Sequence, residues 1–149
     1  MTFIKFNYME NHITIPAPKY VLAIDFDGTI FDTDYPTIGP IREDAVKIIR
    51  TFWNEGYGII INTCREGLAL TAAINALMIA GIPYHYVNSN FPHLIYKYSA
   101  DTRKMSADLY IDDKCLMGLP PWQEIYEIVT QKREEWDTLE ASILEESKE

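Results

Sequence analysis

Two aspartates, Asp25 and Asp27, come directly after the apolar run at 20–24. Residues i and i+2 of a strand point to the same side, so both carboxylates can address one site where the strand ends. One carboxylate can then attack an electrophile while the other transfers protons, and a divalent cation can neutralise the pair. Gly28 permits a tight turn after them. The alternative interpretation is a turn and helix cap, since Asp and Gly favour turns.

Polar residues also follow two later strands that the sequence predicts. Thr63, Cys64 and Arg65 come after the apolar run at 58–62, and Asp112 and Asp113 come after the run at 107–111. Parallel sheets bind ligands at the carboxyl ends of their strands. The Thr63 hydroxyl, the backbone N–H groups of the following helix and the planar fork of Arg65 suit a phosphoryl group. Adjacent acids repel each other unless a cation shares their charge, and hard oxygen ligands suit Mg²⁺.

Purely structural explanations exist for the polar residues at both of these strand ends. Threonine is common in strands, so Thr63 alone indicates little. Asp112 and Asp113 also suit a solvated turn. The functional interpretation depends on their falling at the ends of successive strands of one sheet.

The pattern of apolar residues predicts an α/β fold. We expect strands at 20–26, 58–62, 84–87 and 107–111, since each is a short apolar run between turn signals. We expect helices from 43 to about 55, at 67–80 and after Pro120-Pro121, and a loop at 31–40, which contains two Pro residues. Strands that alternate with helices imply a three-layer, doubly wound, Rossmann-like parallel sheet with right-handed crossovers.

Composition places the chain among ordinary globular proteins. Hydrophobic residues make up 48% of its 149 residues and charged residues 23%, which predicts a domain with a substantial core. The net charge of −9 disfavours nucleic acid as a substrate, because like charges repel. No apolar stretch approaches the ~20 residues of a membrane helix. The start of the chain lacks the features of a secretory signal, so we expect a cytoplasmic protein without membrane contact.

Three segments differ in composition. Residues 1–19 predict an extended arm or an extra strand, and residues 20–133 predict the catalytic core with the start of the C-terminal helix. Residues 134–149 predict an acidic helical tail that projects or frays. The segments between the predicted strands are too short for an independent cap domain.

The motifs Asp25-x-Asp27-Gly28-Thr29, the strand ending in Thr63, and Ile111-Asp112-Asp113, in this order, resemble the haloacid dehalogenase-like (HAD) superfamily. The resemblance covers roughly residues 21–128. The chain is similar in particular to small bacterial members of the superfamily that have no cap domain. It implies an HAD-like fold and a Mg²⁺-dependent phosphatase that forms an aspartyl-phosphate. The implied substrate is a phosphomonoester, such as a sugar phosphate or a nucleotide.

The resemblance also implies a role for each matched residue. Asp25 is the nucleophile, Asp27 the general acid and base, and Thr63 and Lys104 orient the phosphoryl group. Lys104 has Lys97 and Arg103 as rivals, because its spacing from Asp112 is shorter than in many members. The expected residues are, for catalysis, Asp25, Asp27, Thr63 and Lys104; for substrate binding, Gly28, Thr29, Cys64 and Arg65; and for the metal, Asp25, Asp27, Asp112 and Asp113.

Two other functions fit parts of the sequence. One is a non-catalytic phosphate-binding or assembly module on the HAD fold, against which the intact acids count. The other is a polynucleotide-end phosphatase, which the net charge of −9 opposes. The expected partners are a small phosphorylated substrate and a second copy of the chain, in a homo-oligomer that covers the open site.

Overall fold

The structure, a computed structural model, describes residues 17–147, so most of the predicted N-terminal arm lies outside the described residues. The strands are β1 (Val21–Ile24), β2 (Phe31–Asp34), β3 (Thr37–Ile41), β4 (Gly58–Ile61), β5 (Tyr86–Val87) and β6 (Leu109–Ile111). The helices are α1 (Ala45–Asn54), α2 (Gly67–Ala80), α3 (Pro92–Tyr98) and α4 (Trp122–Glu146). Four parallel strands form one sheet in the order β5-β4-β1-β6. The predicted α/β fold with a parallel sheet is therefore confirmed.

The central strand β1 is buried on both faces. Alternate residues of a strand point to opposite faces, and Leu22 and Ile24 pack in a large cluster with residues of α1, α2 and α4. Val21 and Ala23 pack in a smaller cluster that includes Phe91. Residues that leave the end of β1 are therefore anchored by a rigid element.

Residues 31–41 form an antiparallel hairpin, β2–β3, where the sequence predicted a loop. Its first residue, Phe31, stacks on Phe26 with 4.8 Å between ring centres. The loop prediction was wrong because proline is tolerated where a strand needs no N–H donor. Pro36 lies in the turn between the strands, and Pro40 lies where the register shifts.

The helix α1 begins later than the sequence predicted, and much of the apolar surface of α2 is exposed. α1 begins at Ala45, and Asp44 before it has a φ of 61°, so the acids at 43 and 44 do not form its first turn. α2 has the predicted bounds, but Leu68 and Ile79 are 89% and 84% exposed. Only one narrow face of this apolar helix packs on the core, through residues such as Leu77.

α4 is one continuous helix that runs across residue 133, so the predicted tail begins within it. Nζ of Lys19 lies 2.6 Å from carboxylate oxygens of both Asp137 and Glu140. The hydroxyl of Tyr20 also donates to Asp137, over 2.6 Å. The first part of the predicted tail therefore packs on the start of the core instead of projecting. Among residues 17–147, we find no helix with the length and apolarity needed to cross a membrane.

Candidate metal and catalytic site

The strands β1 and β6 end level with each other. Ile24, the last residue of β1, is in register with Ile111, the last residue of β6. The backbone N–H of Asp25 donates to the carbonyl of Ile111 over 2.9 Å. The parallel register therefore brings Asp25 and Asp112 to the same edge of the sheet, although 87 positions separate them in the sequence.

Asp25, Asp112 and Asp113 form a carboxylate cluster at this edge. One carboxylate oxygen from each residue lies within 4.8 Å of the other two. Oδ1 of Asp113 is buried and has no hydrogen-bond partner in the described part of the chain. A buried carboxylate oxygen without a donor is costly unless a cation approaches it. The cluster therefore fits a divalent cation with a preference for oxygen ligands.

The electrostatics of Asp25 reflect this crowding. Burial, together with the negative charge of Asp112, raises the pKa of Asp25 from its ordinary value of 3.8 to about 7. Hydrogen bonds from the backbone of Phe26 and from the hydroxyl of Thr29 oppose the rise in pKa without cancelling it. A cation bound between the carboxylates would favour the ionised form of Asp25, which is the form that acts as a nucleophile.

Thr29 links the nucleophile candidate to the acidic pair. Its hydroxyl donates to Oδ2 of Asp25 over 3.1 Å and accepts from the backbone N–H of Asp113 over 3.0 Å. Nε1 of Trp122, in α4, donates to the carbonyl of Thr29 over 3.1 Å. Thr29 is fully buried, so it positions these carboxylates and the predicted substrate contact is wrong.

Gly28 shapes the turn that directly follows Asp25 and Asp27. Its φ of +76° lies in the left-handed region, and a Cβ at this position would lie 2.5 Å from Oδ2 of Asp113. Its N–H donates to the carbonyl of Phe31 over 2.8 Å, so it is not free for the predicted substrate contact. Only glycine permits both the turn and the close approach to Asp113.

Asp27 is paired with Arg65, whose side chain is fully buried. Nε of Arg65 donates to both carboxylate oxygens, over 3.1 and 2.9 Å, and Nη2 donates to Oδ1 over 2.7 Å. Burial alone would raise the pKa of Asp27, but the hydrogen bonds from Arg65 and Thr33 outweigh it and hold that pKa below its ordinary value.

This pairing bears on two predictions. Arg65 does not reach a substrate, because its guanidinium is buried against Asp27. The Asp27 side chain is not one of the three carboxylates in the cluster, which agrees with the implied metal contact through its backbone carbonyl; that contact stays a prediction.

Thr63 lies beyond the end of β4, as predicted. Its hydroxyl accepts from the backbone N–H of Arg65 over 3.1 Å. The side-chain amide of Asn88 holds its backbone at two points, accepting from the N–H over 2.8 Å and donating to the carbonyl over 2.7 Å. The next residue, Cys64, is exposed.

The structure separates the three candidate cations. Arg103 lines a pocket of about 370 Å³ with Thr63, at the carboxyl end of β4. Lys104 and Lys97 line a different pocket, with Val21 at the amino end of β1. The role of Lys104 stays a prediction, and this arrangement favours Arg103, which lines the pocket at the carboxyl edge of the sheet.

A conserved protein from Bacteroides thetaiotaomicron has a similar solved structure. It is 34% identical to this chain with a TM-score of 0.69, and the match covers 76% of this chain and 91% of that protein. The chain belongs to the same family as this Bacteroides protein. No protein-family model matches the chain, and no curated protein matches it. The family relationship supports the α/β fold.

Lys114 lies beside the acidic pair, and the sequence analysis did not predict a role for it. Its Nζ lies 3.1 Å from Oδ2 of Asp113, and its backbone N–H donates to Oδ1 of Asp112 over 2.8 Å. The hydrogen bond to Asp113 raises the pKa of Lys114. This exposed ammonium contacts Oδ2 and leaves Oδ1 of Asp113 for a metal ion. A lysine directly after two aspartates was the available signal.

Proposed function

We propose that the chain is a Mg²⁺-dependent phosphatase of the HAD type without a cap, and that it acts through an aspartyl-phosphate on a small phosphomonoester. The observation that carries the proposal is the cluster of carboxylate oxygens from Asp25, Asp112 and Asp113 at the carboxyl edge of the sheet. Asp27 follows Asp25 by two residues and supplies the second acid of the motif. The HAD-like layout of the sheet is part of this proposal.

Three observations support a resident Mg²⁺. The ligand atoms are carboxylate oxygens, Oδ1 of Asp113 is buried without a donor in the described part of the chain, and burial together with the negative charge of Asp112 raises the pKa of Asp25. Hard oxygen ligands with room for water suit Mg²⁺ better than softer metals. When bound, the ion would neutralise negative charge that develops on the phosphoryl oxygens.

The chain's own residues then perform two displacements. A carboxylate oxygen of Asp25 attacks phosphorus in line, and the bond from phosphorus to the leaving oxygen breaks. Asp27 gives a proton to the leaving oxygen, and because its pair with Arg65 favours the ionised form, it has to take up this proton before the first displacement. It later takes a proton from the water that attacks phosphorus, as the bond from phosphorus to Asp25 breaks. The products are an alcohol and inorganic phosphate, and Asp25 returns to its starting state.

Thr63 and Arg103 hold the phosphoryl group in this proposal. Both line the pocket beside the end of β4, where the hydroxyl can donate to one oxygen and the guanidinium can grip two. Donors that are already in place often contribute the largest share of catalysis. The homo-oligomer expected over the open site stays a prediction.

The test is the hydrolysis of p-nitrophenyl phosphate with and without Mg²⁺. We expect metal-dependent turnover by the wild type and a loss of at least about a thousand-fold for Asp25→Asn, which removes the nucleophile. Asp44→Asn is the matched control, because Asp44 is an exposed acid before α1 that is not part of the carboxylate cluster, and Asn tolerates its positive φ. Wild-type turnover no higher than that of Asp25→Asn would reject the proposal in favour of a non-catalytic module.

A further inference from the structure

We infer that Arg65 is a positioning residue that fixes Asp27 and couples it to the tip of the β2–β3 hairpin. This inference rests on the proposed function. The guanidinium makes three hydrogen bonds to the carboxylate of Asp27, of 2.7 to 3.1 Å, and engages both of its oxygens. A planar fork that engages both oxygens fixes the orientation of a carboxylate as well as its place.

The other end of the guanidinium contacts two further segments. Nη1 donates to the carbonyl of Pro36 at the hairpin tip over 3.0 Å and lies 3.5 Å from the carbonyl of Ala69 in α2. The guanidinium carbon lies 5.1 Å from the ring centre of Tyr35 and 5.2 Å from that of Phe26. One buried side chain therefore joins the turn after β1, the hairpin tip and the first turn of α2.

This arrangement makes the position of Asp27 depend on the hairpin. A buried ion pair is sensitive to the loss of one partner, because the other charge is then left without compensation. Tyr35 at the tip is 63% exposed, so the tip meets solvent while its backbone contacts Arg65. A displacement of the tip moves Arg65, and the carboxylate of Asp27 follows.

The role differs from phosphate binding in its kinetic signature. Departure of an alkyl leaving group needs the proton that a well-placed Asp27 delivers, whereas p-nitrophenolate leaves without one. The ratio kcat/KM reports steps up to this departure. A positioning role therefore lowers kcat/KM for an alkyl phosphate selectively, while a phosphate contact lowers it for both substrates alike.

The experiment compares Arg65→Met and Arg65→Lys with wild type on glycerol 2-phosphate and p-nitrophenyl phosphate, in Mg²⁺. We expect Arg65→Met to lower kcat/KM about a hundred-fold on the alkyl ester and less than about five-fold on the aryl ester. Arg65→Lys should recover part of the loss, since it keeps the charge but not the fork. An equal loss on both substrates would overturn the inference.

A second measurement does not depend on turnover. Hydrogen exchange of the backbone amides at 31–41 should be faster in Arg65→Lys than in wild type, because the contact with Pro36 is weakened. Arg50→Lys is the matched control, since Arg50 is an exposed arginine that donates to the carbonyl of Gly81. Unchanged exchange in the hairpin would overturn the coupling. Absence of hydrolysis by wild type would instead reject the proposed function, while the exchange result would still decide the coupling.

Discussion

Gly28 and Asp113 lie so close together that a methyl group on Gly28 would be 2.5 Å from Oδ2 of Asp113. They come from opposite ends of the folded core, 85 positions apart. The turn that follows the candidate nucleophile is therefore packed against the acidic pair. The shape of this turn determines where the carboxylate of Asp113 can lie in the cluster.

Gly28→Ala should damage the cluster as well as the turn. Loss of glycine at a positive φ costs about 1 kcal/mol, and the clash with Asp113 should add about 1–3 kcal/mol. Gly56→Ala is the control, because its φ is +85° but nothing lies within 4 Å of the added Cβ. We expect urea denaturation to show the larger loss for Gly28→Ala, together with at least about ten-fold weaker Mg²⁺ binding. Equal losses in the two variants would contradict the close packing.

Thr29→Val should loosen the link between Asp25 and Asp113. It removes a donor to one residue and leaves the backbone N–H of the other unpaired, which should cost about 1.5–3 kcal/mol of unfolding free energy. Thr37→Val, at an exposed position of β3, should change stability by less than about 0.5 kcal/mol. Thermal or urea unfolding decides between these values, and a similar small effect for both variants would remove Thr29 from the site.

Arg103→Ala and Lys104→Ala test which cation serves the phosphoryl group. Both residues are exposed, so neither change should affect folding. Because only Arg103 lines the pocket of Thr63, we expect its loss to lower kcat/KM by about 10–100-fold through weaker phosphate contact. Lys104→Ala should stay within about two-fold of wild type. The reverse order would show that the lysine, as first expected from the sequence, reaches the site.

The proton on Asp25 should stabilise the metal-free protein, and this stabilisation should be lost as the pH rises toward neutrality. The pKa of Asp25 is raised from 3.8 to about 7 in the folded state, so the folded protein binds this proton more tightly than the unfolded chain. The resulting stabilisation is complete below pH 3.8 and is lost as pH rises to about 7. The full shift corresponds to about 4 kcal/mol, and screening at this partly exposed carboxyl reduces it to about 2 kcal/mol.

Asp25→Asn isolates this contribution, since other acids titrate in both proteins. The difference in unfolding free energy, wild type minus variant, should fall by about 2 kcal/mol between pH 4 and pH 8 in a chelating buffer. Saturating Mg²⁺ should raise the wild-type value at pH 8, because the ion binds the folded state. A difference that is independent of pH would contradict a raised pKa at Asp25.

The sequence revealed the fold and the edge that carries the acids because both follow from local signals. Short apolar runs between turn residues marked the strands, and Asp25 and Asp112 each follow such a run directly. A parallel sheet then requires these strand ends to meet. The ends of the strands were less well placed: β6 begins at Leu109 rather than at Ala107, since apolar pattern alone does not show where pairing stops.

Long-range contacts account for the predictions that failed. Arg65 follows a strand, as a phosphate ligand would, but its direction depends on Asp27 and on the carbonyl of Pro36, which no spacing in the sequence reveals. Lys104 and Arg103 are neighbours in a segment without periodicity, so the sequence does not indicate which one faces Thr63. Exposure and direction of these charged residues are set by tertiary packing.

The proposed metal centre requires a single cation shared by Asp25 and Asp112. Crystals of the protein grown or soaked with Mn²⁺, measured at a wavelength where manganese scatters anomalously, test this directly. We expect one anomalous peak within bonding distance of carboxylate oxygens of both residues, next to Asp113. A peak elsewhere, or no peak between these two residues at saturating Mn²⁺, would contradict the proposed metal centre.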